Sequence, residues 1–232
     1  MSGETGMNLT LHLLEAEGSL SAWRDTLRLQ TIDIGRRIAA RVPADLCRHP
    51  VDILVQNFPE GTVPEMAMGG SCFRRGLVTI SLAPDNPAFE AHVAGGVFQQ
   101  MLAHELHHAM RWNACGYGET LGEAIASEGL ADAFAEMLTG LAPPPWTAAL
   151  DHEQLPGTLA QANTELENPY YDHAEWFFGA GAVPRWAGYT LGYRLARLCH
   201  ERHPDQVRSG FIDMPASAVL SGWPLLASIE NA

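Results

Sequence analysis

The sequence predicts an α+β fold, with a small antiparallel N-terminal sheet packed on a mainly helical core. Three observations lead there. Two short β-branched runs, "VDILVQNF" (51–58) and "LVTISLA" (77–83), lie early in the chain. From residue 88 onward the apolar spacing becomes that of helices. One helical stretch, 88–113, is apolar nearly all round, the pattern of a helix buried at the centre of a core.

The elements follow in order. Residues 19–42 place Trp23, Leu27, Ile34 and Ile38 at helical spacing ahead of Pro43, and predict an N-terminal helix. The strand 51–58 comes next, then a Gly- and Pro-rich stretch expected as turns. The strand 77–83 follows and stops at "PDNP". That second strand is either internal or an open edge to which an extended peptide adds. The central helix 88–113 ends at Gly116 and Gly118, and a second covers 120–140 before Pro143–Pro145. The stretch to about 182, with "NPYYDHAEWFFGAGAVP", is expected as loop. A last helix spans 184–202, with Pro184 in its first turn and Pro204 past its end. There is no internal repeat. A chain of 232 residues fits one domain, with an N-terminal helical region (1–45), a small sheet (46–90) and a helical region (91–232).

Composition narrows the function. With 27 acidic residues against 14 basic ones, the formal charge of −13 repels phosphate backbones, so nucleic acid is not an expected partner. The four cysteines, Cys47, Cys72, Cys115 and Cys199, form no CxxC pair and read as free thiols of a reducing compartment. The N-terminus lacks a basic segment followed by an apolar one, and no apolar run is long enough for a membrane span. A cytoplasmic location is the expectation.

The chemistry sits in "LAHELHHAMRW". His104 and His108 are four residues apart, so on a helix their directions differ by about 40° and both imidazoles reach one point. That suits two of the four ligands of a tetrahedral zinc. Glu105 points about 100° from His104, too far round to join them as a ligand but placed to take a proton from a water on the metal. This is the HExxH arrangement. His107 points about 60° to the other side of His104 and is expected to pack or to give a supporting hydrogen bond. A third ligand is needed. A histidine at 114 would complete one known pattern, but that residue is Ala114. Among Glu119, Glu123 and Glu128, only Glu128 is followed by an aspartate, Asp132, one helical turn further on. Ligand histidines usually donate their second ring N–H to a carboxylate. The expected set is therefore His104, His108 and Glu128 on zinc, with Asp132 supporting His104. Glu119 and Glu123 are expected to cap or solvate the start of the second helix.

HExxH followed by this E-x-x-x-D frame resembles the gluzincin group of zinc peptidases, which includes thermolysin. A fuller resemblance is to the bacterial predicted Zn-dependent protease family, the YjaZ-like domains. It rests on "AHELHH", on "SEGLAD" and on a late W-x-G-Y-x-x-G-Y segment formed by Trp186, Gly188, Tyr189, Gly192 and Tyr193, and covers roughly residues 50–220. It implies a zincin-like core with the HExxH helix at its centre and zinc on the three residues already named. The expected activity is zinc-dependent hydrolysis of peptide bonds, with Glu105 as general base and a peptide or protein as substrate. An oxyanion donor is sought among Tyr189, Tyr193, His173 and Tyr117, and Tyr189 is the choice made. Two other readings stay open: a zinc-stabilised binding or regulatory domain with little turnover, and a hydrolase of a non-peptide amide or ester.

Overall fold

The computed structural model describes residues 7–230. Residues 1–6, which open both region 1–45 and the stretch read as lacking a leader, lie outside the described residues, as do 231–232. The chain divides into two compact units, Met1–Ala114 with Phe134–Leu141, and Cys115–Ala133 with Ala142–Ala232.

The first unit is built on β1 (Leu9–Leu14), α1 (Arg24–Ala39), β2 (Val51–Asn57), β3 (Met68–Arg74), β4 (Leu77–Leu82), α2 (Phe89–Ala94) and α3 (Val97–Ala114). The fold is α+β with one small sheet at the N-terminus, as expected. The antiparallel pairing is corrected. In the order β1-β2-β4-β3, β2 runs parallel to both β1 and β4, and only β3 and β4 are antiparallel. The cause is connectivity: α1 carries the chain from β1 back to the start of β2, a crossover that yields parallel neighbours. β4 is internal, so the open edges are β1 and β3.

Leu27, Thr31, Ile34 and Ile38 form the buried stripe of α1, which rests on β1 and α3. The stretch expected as one helix from 88 to 113 breaks at Gly95 and Gly96, where Gly96 takes φ +86°, a conformation costly for any other residue. Beyond the break, α3 lies on β3 and β4. Phe98 and every residue from Gln100 to Arg111 are buried in it. Each fully buried Leu or Phe on that helix contributes about 1.5–3 kcal/mol, which keeps α3 fixed despite its polar residues.

The second unit is helical, with α4 (Leu121–Thr139), whose last turns belong to the first unit, then α5 (Gln154–Glu165), α6 (His173–Phe178), α7 (Ala187–Arg202), α8 (Ala216–Leu220) and α9 (Trp223–Glu230). Helices α5 and α6 replace much of the loop expected between 141 and 182. Ile125, Leu130, Leu159, Trp176, Phe177, Leu191 and Leu195 are among its core residues. Helices α4 and α7 meet backbone to backbone. A Cβ on Gly192 would stand 3.0 Å from the Gly129 nitrogen and closer still to the Ile125 carbonyl. As expected, Glu123 caps α4: its carboxylate accepts from the backbone N–H of Glu119 at 2.8 Å and of Thr120 at 3.1 Å. Among the described residues, no helix is long and apolar enough to cross a membrane.

Candidate metal centre

Helix α3 brings the Nε2 atoms of His104 and His108 to 3.1 Å of each other, with both side chains buried. Two nitrogens bound to one tetrahedral zinc at about 2.0–2.1 Å stand about 3.3 Å apart, so the pair has close to the spacing of zinc ligands. Glu105 is also buried, at 4% exposure. Its carboxylate lies against Gly70 on β3: a Cβ there would fall 2.7 Å from Glu105 Cγ and 2.8 Å from Cδ. The bare backbone of Gly70 is what leaves room for the acid. His107 is fully buried, and its ring packs 5.2 Å from that of Phe134.

On α4, Glu128 is buried, and its Oε1 accepts from the Tyr117 hydroxyl at 2.6 Å. Burial, reinforced by the Glu128 charge, holds the Tyr117 phenol well above its usual range, so it stays a donor. Burial and then Glu128 push Tyr171 up to about 12. Burial also lowers the pKa of His173, against the pull of Glu128 and Asp172. The Tyr171 hydroxyl lies 3.2 Å from His173 Nδ1, and the His173 ring stacks on Phe177 at 4.4 Å. Asp132 is fully buried and accepts from the Trp146 indole at 2.9 Å.

His104, His108 and Glu128 form a buried group that could hold a metal ion, with one ligand atom from each lying within 4.8 Å of the others. Two imidazoles and a carboxylate suit zinc. The family described as "Predicted Zn-dependent protease (DUF2268)" matches residues 49–221. The chain belongs to this family. Searches of curated proteins and of solved structures each returned no match. The family's description agrees with the donor set that the geometry offers.

Other predicted residues fall as follows. Tyr189 sits partly buried on α7 among Trp146, Phe177 and Phe178, with ring separations of 5.7, 5.0 and 6.4 Å. Tyr193, one turn later, packs partly buried on the helical core. Sequence reasoning missed Gly70, whose signal was the "GG" pair in a stretch taken as turns. It also missed Trp146 as a partner of Asp132 and Tyr117 as a partner of Glu128. Both pairings join a helix to a loop or 3₁₀ turn, and no periodicity announces them. None of the four cysteines forms a disulfide.

Proposed function

We propose that this family member is a zinc-dependent metallopeptidase in which His104, His108 and Glu128 hold the ion and Glu105 is the general base. The observation that carries the reading is the 3.1 Å spacing of the two Nε2 atoms with Glu105 as the adjoining residue. Zinc held there supplies a Lewis acid and a water of lowered pKa. Glu105 takes the proton of the attacking water on a carboxylate oxygen and returns it to the leaving amine. Burial of both histidines and of Glu105 keeps bulk water away and strengthens each charge interaction. Asp132 is proposed to orient His104 while the Trp146 indole holds its Oδ2.

Tyr189 is the proposed oxyanion donor. It sits partly buried on α7 beside Trp146 and Phe177, one turn before Tyr193. The substrate is a peptide laid along the open edge of β3. Met68 offers its carbonyl on that side, where Val63 takes it, and strand alternation turns the backbone groups of Gly70 the same way. An extended chain pairing at Gly70 passes next to the Glu105 carboxylate, and this juxtaposition favours a peptide over a small amide or ester.

Metal analysis and cleavage of a peptide library, run on wild type and Glu105→Gln, test the proposal. About one zinc per chain in both is expected, with turnover falling by about 10²–10⁴ in the variant. Equal turnover removes Glu105 as the base.

A further inference from the structure

The turn between α3 and α4 is more tightly built than a connection needs to be. Tyr117 stands between Gly116 and Gly118, whose φ values of +82° and +112° lie where only glycine is comfortable. The turn is tied at its far end, because Glu123 accepts from the backbone of Glu119 and Thr120. Its packing is close too. A Cβ on Gly118 would collide with Glu123 Cβ and stand 3.3 Å from Glu123 Cδ. The tyrosine is therefore aimed by its flanking backbone, and what it meets is Glu128 Oε1 at 2.6 Å.

We infer that Tyr117 is a positioning residue for Glu128, holding Oε1 so that the carboxylate presents the single oxygen Oε2 to the ion. This rests on the reading of Glu128 as a ligand. A phenol has one hydrogen to give, and the contact is as short as a charge-assisted O–H···O⁻ bond. With Oε1 engaged, two-oxygen coordination by Glu128 is disfavoured, which keeps the coordination number low and leaves a position for water and substrate. Tyr117 thus acts through Glu128 and not on the substrate.

The test titrates metal-free protein with zinc against a chelator and records the absorption of the cobalt(II)-substituted protein. Tyr117→Phe is expected to weaken zinc binding about 10–100-fold. Its cobalt absorption per ion should fall as the freed carboxylate turns both oxygens to the metal and the coordination number rises. Tyr171→Phe, which leaves the Tyr117–Glu128 bond in place, should keep the wild-type affinity and spectrum. Gly118→Ala strains the turn without touching the phenol and should weaken zinc in the same direction, which keeps the question open to test if Tyr117→Phe does not fold. Glu128→Ala separates the two claims. If it loses zinc while Tyr117→Phe keeps both affinity and spectrum, the positioning role is overturned and the ligand stands. If Glu128→Ala keeps wild-type zinc affinity, the ligand reading falls and the inference falls with it.

Discussion

Gly70→Ala adds one methyl group and should slow the proposed turnover about 10²-fold without weakening zinc binding. The backbone at Gly70 has an ordinary negative-φ strand conformation, so alanine fits the main chain. The new Cβ would stand 2.7 Å from Glu105 Cγ and 2.8 Å from Cδ, against about 3.5 Å for comfortable carbon contacts. The acid must give way by about 0.7 Å at those atoms, and by about 1 Å once its carboxylate oxygen clears the methyl group. A misplacement of about 1 Å in a catalytic group costs about 10²-fold, or about 2.7 kcal/mol of transition-state stabilisation. Stability should change little: removing a strand glycine gains about 0.5–1 kcal/mol, and bending Glu105 off its rotamer costs a similar amount. The assay is kcat/KM on a cleaved peptide, with zinc content and Tm measured on the same preparation. A double-mutant cycle sharpens it. If the methyl group acts through the carboxylate, Gly70→Ala should add almost nothing in a Glu105→Gln background. Wild-type kcat/KM in Gly70→Ala, or full additivity with Glu105→Gln, would refute the placement of the base.

Two further outcomes follow from α4. Asp132→Asn should weaken zinc binding or turnover about 10–100-fold if the carboxylate orients His104, and unchanged affinity and rate would reduce it to a partner of the Trp146 indole. Glu123→Ala should not empty the metal site, with any loss of zinc affinity no larger than that of Tyr117→Phe, whose turn it loosens, while costing about 1 kcal/mol in denaturant unfolding, because it removes the cap of α4. The backbone N–H groups of Glu119 and Thr120 hold the Glu123 carboxyl below its ordinary value. Its contribution is therefore full above that ordinary value and disappears as the pH falls through the depressed one. The gap between wild type and Glu123→Ala should close in acid, and a gap that persists there would contradict the capping role.

The HExxH pair was legible because helical geometry alone turns residues four apart to one side, and α3 has that geometry. The strands β2 and β4 were legible from their β-branched runs. β3 was not, because "MGGSCFR" carries two glycines that read as turn residues. One of them, Gly70, leaves no room for a Cβ beside Glu105, so close packing on α3 hid the strand signal. β1 was hidden for another reason: "LTLHLL" is short, and its pairing with β2 depends on α1 bringing distant segments together. The bond between Asp132 and the Trp146 indole was not legible. The proline run at 143–145 leads into a 3₁₀ turn, Pro145–Ala148, that returns the indole to α4.

The central claim is the ligand set, and X-ray absorption at the zinc edge tests it most directly. The account predicts nitrogen and oxygen scatterers at about 2.0–2.2 Å, an imidazole pattern that fits two histidines, and no sulfur. A shell at about 2.3 Å from thiolate sulfur, or zinc with no imidazole around it, would contradict the assignment to His104, His108 and Glu128.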